Sequence, residues 1–432
     1  MIKYISFLIG ILALAGFILS GCSTSNNPAA ATTTPTDPSK AKQQVNQANK
    51  LLIPTLSSLV SSQGQDTATS NISTAQSLYG QALANDPTNP DAHFGYATTE
   101  VLNALVDPDI RALGNDVSRL LQPLRFTFSR FPSTSGLLSN VIPQSMIGGG
   151  PGSFPVSPMT FYPNRQTNAS HPFSYYQGII EAKLLPSLAD AIAKLQTISQ
   201  NSSFAMYIRP DSSSDVQDSI RIDLTEVYLL LACLNFLDAN ASFVTAYNVD
   251  YNSLDSASVY QAWQVSSPFL TFRTNGSQRM KDTKTGILTM AQNIKDGIGY
   301  FTTQSPHPGV DLITYNPNDY QSLINVSHAM DSIRVALSGP HKLNGSSGSI
   351  NIDLSQFFDN AISNYKTKIP AYTISVKWDN HGNYQPVLSW VATSFDAWFI
   401  PDPTMNGLFP GMTDSGFKTF FNITALDWKQ HP

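Results

Sequence analysis

Apolar residues recur at three- and four-residue steps over most of the chain, the period of helices that bury one face. Between residues 41 and 60 they fall at Val45, Ala48, Leu52, Leu56 and Leu59, with Pro54 expected to end or kink the helix. Leu184, Leu188, Ala191, Ile192, Leu195 and Ile198 share a second face, with a kink expected at Pro186. Ile220, Leu224, Val227, Tyr228, Leu231 and Leu234 form a third. That helix is apolar nearly all round in its middle, which marks it as the central core helix. Ile287, Met290, Ala291, Ile294, Ile298 and Phe301 make a fourth face. Leu323, Val326, Met330, Ile333 and Leu337 make a fifth, stopped by Gly339 and Pro340.

Alternation with a period of two is clear in one place. Tyr372, Ile374, Val376 and Trp378 alternate with Thr373, Ser375 and Lys377, then Asp379, Asn380 and Asn383 surround a Gly-containing turn before Tyr384 to Val391. This predicts a β-hairpin. The expected fold class is therefore mainly α, an irregular helical domain with a small C-terminal hairpin. Residues 131–173 break the helical pattern with Pro, Gly and Ser, which predicts a long loop, either a functional surface loop or a mobile one. The segment from Ile400 to Met412 is apolar and turn-rich, and is expected to wrap the helical body.

The amino terminus has a different pattern. Lys3 precedes an apolar run from Ile5 to Leu19, followed by Leu19-Ser20-Gly21-Cys22. The run is too short for a retained membrane span and has the layout of a secretory signal. The tetrad resembles the lipobox of bacterial lipoproteins. That resemblance implies that diacylglycerol is attached to the Cys22 sulfur, that residues 1–21 are removed, and that the new amino group can take a further acyl chain such as palmitate. Two or three chains exceed the single chain whose anchoring is marginal. Ser23, in place of the Asp that retains some lipoproteins in the inner membrane, implies the outer membrane. Residues 22–40 are mostly Ser, Thr, Asn, Ala and Pro without apolar period, a tether spanning about 20–25 Å.

Residues 72–105 carry a second resemblance. Ala75 and Ala82 bracket Tyr79 on one helix face, Pro87 stops that helix, and Asp91 is placed to cap the next. The spacing of Ala75, Tyr79, Ala82 and Pro87 resembles the second helix of a tetratricopeptide repeat. Tyr96 and Ala97 fill the apolar and small positions of the following first helix, but Glu100 stands where an aromatic is usual. The match covers about one and a half units, whereas about three are needed to bury a continuous core. The pair must therefore lean on the rest of the chain. The expected organisation is a signal peptide (1–21), a tether (22–40) and one mainly helical domain (41–432). Within that domain lie the tetratricopeptide-like part (41–115), the long loop (131–173), the helical core (174–340), and the hairpin and tail (341–432).

Composition narrows the function classes. Among 432 residues, 25 basic and 30 acidic side chains give a net charge of −5, which excludes a strongly basic nucleic-acid binder. Charged residues are 13%, about half the usual share, so the surface is polar but uncharged. Two cysteines, one of them Cys22, give no disulfide framework, and Cys233 lies in an apolar run where an inert thiol is expected. None of the seven histidines forms a zinc motif, and no serine sits in a nucleophile-elbow pattern. Asn248, Asp250, Asn252 and Asp255 could offer oxygens to calcium, but lack the glycine turn and terminal Glu of an EF-hand loop. An Asx-rich turn is the simpler reading. Arg221, Asp223 and Glu226 are expected to open the core helix as a structural ion pair. The crowded aromatics Tyr372, Trp378, Tyr384, Trp390, Phe395, Trp398 and Phe399 are expected to glue the hairpin to the helices.

No catalytic residues, metal or cofactor are assigned. The expectation is a non-catalytic lipoprotein of the bacterial envelope, held at the membrane by its N-terminal lipid. It would bind or scaffold an envelope protein through the tetratricopeptide-like helices. The alternative is a solute- or glycan-binding lipoprotein serving an outer-membrane transporter.

Overall fold

The computed structural model describes residues 37–60, 65–110, 172–208, 220–250, 268–304, 320–345, 348–368, 372–378, 384–390, 394 and 396–421. The expected signal peptide, Cys22, nearly all of the expected tether and all but the end of the expected 131–173 loop lie outside these. The fold is mainly α, with three separate two-stranded antiparallel sheets among the described residues. The chain groups into two compact units. Unit 1 takes residues 1–117, 178–241 and 286–330, and unit 2 takes 118–177, 242–285 and 331–432.

Unit 1 begins with α1 (Pro38–Val60), α2 (Gln65–Asn85) and α3 (Pro90–Val106). Short links make successive helices neighbours: α1 packs on α2, and α2 on α3. The helix α1 starts inside the expected tether, where the Asp37 carboxylate accepts from the Lys40 N–H at 3.0 Å. It also runs through Pro54, which therefore does not end it. The Thr55 hydroxyl donates to the Leu51 carbonyl at 2.7 Å and accepts from Asn71 of α2 at 3.2 Å, so cross-helix bonding holds the turn beside the proline. Asn89, not Asp91, caps α3. Its side chain accepts from the Ala92 N–H at 3.0 Å, and Pro90 occupies the first turn, where no N–H is needed.

The apolar core of this stack joins Ala41, Val45, Ala48 and Leu52 to Ile72, Ala75, Tyr79 and Ala82, and these to Ala92, Leu102 and Val106. Tyr79 is fully buried and donates to Asn49 Oδ1 at 2.5 Å. Its ring lies where Gly95 has no side chain, since a Cβ on Gly95 would stand 2.2 Å from two ring carbons.

The other side of α3 is also covered. A turn of π-helix (Ile180–Leu184) leads into α5 (Leu185–Ser199), and the Leu185 N–H donates back to Ile180. This widened turn lies beside Pro186, which cannot donate to the turn before it. Leu188, Ala191, Leu195 and Ile198 of α5 are buried as their spacing predicts. They pack with Ala97, Phe94 and Val101 of α3 and with Leu224, Val227, Leu231 and Leu234 of α6 (Leu224–Ala246). The helix pair therefore does lean on the rest of its unit. Between α5 and α6, the strands β1 (Ala205–Ile208) and β2 (Ile220–Asp223) pair with Met206 opposite Ile222, both buried in the same core. Ile220 to Asp223 is thus strand, and the core helix opens at Leu224. Among the described residues, α6 alone is long and apolar enough to cross a membrane. A helix apolar on every side is also what a core position demands.

The fourth predicted face behaves differently. On α7 (Gly276–Thr303), Ala291 is buried, but Ile287, Met290, Ile294 and Ile298 are only partly so. Burial instead follows Gly286, Asn293 and Gly297. A Cβ on Gly286 would stand 2.9 Å from both Asn235 O and Ala239 Cβ, so α7 meets α6 by backbone approach. Of the fifth face, on α8 (Tyr320–Ala336), Met330 is buried, as is Leu337 just beyond the helix.

Unit 2 is organised by an amide and by rings. Gln177, fully buried in α4 (Phe173–Ile179), donates to the Val244 and Tyr247 carbonyls, both at 2.7 Å, and accepts from Arg273 at 2.9 Å. Tyr247 packs against Phe272 and Tyr365, and its hydroxyl donates to the Ile362 carbonyl at 2.9 Å. Strands β3 (His341–Gly345) and β4 (Gly348–Ile352) form a hairpin followed by α9 (Leu354–Asp359). The expected hairpin is present as β5 (Tyr372–Trp378) and β6 (Tyr384–Trp390), in register from Tyr372↔Trp390 to Trp378↔Tyr384. The tail then turns tightly around Asp402, which accepts from the Thr404 and Asn406 N–H groups and pairs with Lys368 at 2.6 Å. Burial opposes ionisation there, but the Lys368 ammonium and these donors hold Asp402 well below the usual carboxylate range. The chain ends its described part in α10 (Asp414–Phe420).

Two substitutions test this packing. Gly95→Ala puts a methyl into the Tyr79 ring and is expected to cost about 1–3 kcal/mol, more than the ~1 kcal/mol an alanine gains over glycine in a helix. Thermal unfolding followed by circular dichroism checks it, and the penalty should shrink when Tyr79→Leu is also present. Gln177→Leu strands buried carbonyls and is expected to cost about 1–3 kcal/mol per unsatisfied group. Its urea midpoint should fall below that of Gln177→Glu, which keeps the oxygens that accept from Arg273.

Candidate functional site

The residues singled out by spacing lie on two neighbouring helices of unit 1. Ala75, Tyr79 and Ala82 form the buried face of α2, and Ala97 is buried on α3, each with no exposed surface. Tyr96 is half-buried, and Pro87 is exposed in the link between the helices. The two-helix segment from Pro38 to Asn85 is longer than the 34 residues of a tetratricopeptide unit.

Beside this apolar face runs a band of polar side chains. The Ser73 hydroxyl donates to Asn103 Oδ1 at 3.1 Å, Asn103 Nδ2 donates to Gln76 Oε1, and Gln76 Nε2 donates to the Glu100 carboxylate. Glu100 also hydrogen-bonds Ser187 of α5. One relay of neutral donors thus ends on a single carboxylate and ties α2, α3 and α5 together. Burial pushes Glu100 above the usual carboxylate range, with Asp190 adding to the shift. Burial, then the Glu100 charge, raises Tyr96 to about 12. Lys194 lies 5.6 Å from the Tyr96 ring centroid and pairs with Asp190 at 3.4 Å. Glu100, which departs from the repeat pattern, is therefore the head of this network. A second neutral ladder, Asn85 to Gln44 at 2.8 Å and Gln44 to Gln81 at 3.1 Å, joins α1 to α2.

Charge is used sparingly elsewhere. Lys183 holds the buried Asp107 at 3.1 Å and Asp109 at 2.6 Å. His93 Nε2 meets the Pro87 carbonyl at 2.9 Å, its Nδ1 is buried without a partner, and burial lowers the ring's affinity for a proton. At the junction of β2 and α6, Arg221 pairs with Asp223 at 2.7 Å. The Asp223 carboxylate accepts from the Thr225 N–H, and the Glu226 carboxylate reaches back to the Asp223 N–H, both at 2.8 Å. This reciprocal arrangement is a capping box with acidic residues at both ends. Burial, and then the neighbouring Asp223 charge, push Glu226 up to about 8. Arg221, Asp223 and Glu226 thus meet as the sequence places them, though across a strand–helix junction.

The Asx-rich cluster resolves into a turn where it is described. Asn248 accepts from the Asp250 N–H at 3.0 Å, and Asp250 accepts from the Ser174 N–H at 2.7 Å. Asn252 and Asp255 lie outside the described residues. Among the described residues, no group of three or more His, Cys, Asp or Glu is placed to hold a metal ion. Cys233 is half-buried, and burial pushes its thiol up to about 11. Trp398 is buried as expected, whereas Phe399 is 63% exposed.

No family model, curated protein or solved structure matches this chain.

Glu226 gives a pH test. Its folded value lies above the ordinary ~4.3 of an unfolded Glu, so the folded state holds the extra proton. That contribution is complete below the unfolded value and is lost as pH rises through the folded one. Glu226→Gln keeps an acceptor for the Asp223 N–H but cannot ionise. Urea midpoints between about pH 5 and pH 8 should fall more steeply for the native chain than for this variant.

Proposed function

We propose that the chain is a lipid-anchored, non-catalytic lipoprotein of the bacterial envelope, sorted to the outer membrane. It acts as a protein-binding or scaffold subunit through α1–α3. The observation that carries this reading is Leu19-Ser20-Gly21-Cys22 at the end of an apolar run, followed by a polar stretch, charged only at Asp37, that reaches α1 at Pro38. Acyl chains on Cys22 supply the membrane affinity, and the stretch supplies the reach. The binding role draws on the stack. Both α2 and α3 are packed between neighbours, which leaves the outer face of α1 available. That face exposes Gln43, Asn46, Gln47 and Lys50 at helical spacing. It offers hydrogen bonds rather than apolar area, the chemistry of a reversible protein contact. The link from stacked helices to partner binding is one of fold analogy.

Cys22→Ser is expected to move the protein from the membrane fraction to the soluble fraction and to leave residues 1–21 uncleaved by the lipoprotein peptidase. Fractionation and intact mass check both outcomes. A photo-crosslinking residue at Gln47 should capture a discrete envelope protein in the native host, and the same residue at the buried position Ala48 should not.

A further inference from the structure

An open cleft of about 480 Å³ lies in unit 2 between β4 and α10, within the size range of small-molecule sites. Ser349 and Asn351, two apart on β4, line one wall. Thr413, Ser415, Thr419 and Phe420 line the other. Among the described residues, no acidic or basic side chain lines the cleft. Two charged residues do lie on α10, but both are engaged elsewhere. Asp414 accepts from the Ile400 N–H at 2.8 Å, and Lys418 donates to the Trp398 carbonyl and pairs with Asp414 at 2.8 Å. The two α10 charges are thus spent on the 398–400 segment and on each other.

The polar groups that remain are hydroxyls and one amide. Thr413 is committed as the α10 cap, accepting from the Gly416 N–H at 3.1 Å. The Ser349, Asn351 and Thr419 side chains are exposed and make no hydrogen bond to another described residue. Phe420 adds an aromatic ring, held edge-on by Phe421 at 5.2 Å, which in turn packs on Phe417 at 4.4 Å. A ligand suited to these walls carries no charge, has many groups that both donate and accept hydrogen bonds, and presents an apolar face to a ring.

We propose that this cleft binds a neutral saccharide, with Phe420 against the apolar face of a sugar ring and Asn351, Ser349 and Thr419 exchanging hydrogen bonds with its hydroxyls. This reading concerns unit 2 alone and stands apart from any protein contact of α1.

The test is calorimetric titration of the full chain with maltotriose, cellotriose and tri-N-acetylchitotriose, with trigalacturonate as the anionic counterpart. At least one neutral sugar should bind, and trigalacturonate should bind more weakly. Asn351→Ala, at an exposed strand position, should weaken binding about five- to tenfold, the range of a lost hydrogen bond. Phe420→Ala should weaken it further. An unchanged circular dichroism spectrum for Asn351→Ala separates loss of the site from loss of the fold. The proposal is overturned if no neutral sugar binds at millimolar concentration, if trigalacturonate binds as well, or if both variants bind as tightly as the native chain. Any of these outcomes leaves the crosslinking at Gln47 unaffected.

Discussion

A polar group taken out of water must find a partner, and in this chain neutral side chains meet much of that demand. Only 13% of residues carry charge. Amides therefore occupy positions where many proteins place ion pairs. Gln177 closes two carbonyls and receives an arginine in unit 2. The Ser73–Asn103–Gln76 relay ends on Glu100 in unit 1, and Gln44, Gln81 and Asn85 lace α1 to α2. Such bonds are directional, so they fix how helices meet as well as whether they meet. The buried Asp223 and Asp107 carboxylates are paired, with Arg221 and Lys183 respectively.

The apolar packing obeys a related economy of size. Tyr79 fits because Gly95 has no side chain, and α7 nears α6 because Gly286 has none. Large rings and absent side chains are complementary shapes. Close backbone approach then raises packing density without adding apolar residues. The partly exposed Ile287, Met290, Ile294 and Ile298 follow from this. On α7 the face that packs is the small one, not the most hydrophobic one.

Much of the helical fold was legible in the sequence. Leu188, Ala191, Leu195 and Ile198 are buried where a period of 3.6 puts them, and Ala75, Tyr79 and Ala82 share a face as their spacing requires. The alternation from Tyr372 to Trp378 located a hairpin correctly. The misreadings have physical causes. Ile220 is four residues before Leu224 and so joins a helical pattern, although the chain changes from strand to helix between them. The acidic capping box at Asp223 and Glu226 was the signal that marks that change. The pairs β1–β2 and β3–β4 are four or five residues long, too short for alternation to stand out. The glycine-mediated face of α7 is invisible to any count of apolar residues. The Glu100 network bonds side chains up to 87 positions apart, Glu100 to Ser187, and only the tertiary fold brings them together.

The setting of Cys233 has a practical side. With its thiol pushed to about 11, almost none of it is thiolate near neutrality, the form that reacts with maleimides and oxidants. A cysteine introduced at a surface position such as Lys50 or Thr419 would outcompete it for a fluorophore or spin label. Distances within either unit could then be followed by spectroscopy without first removing the native sulfur from α6.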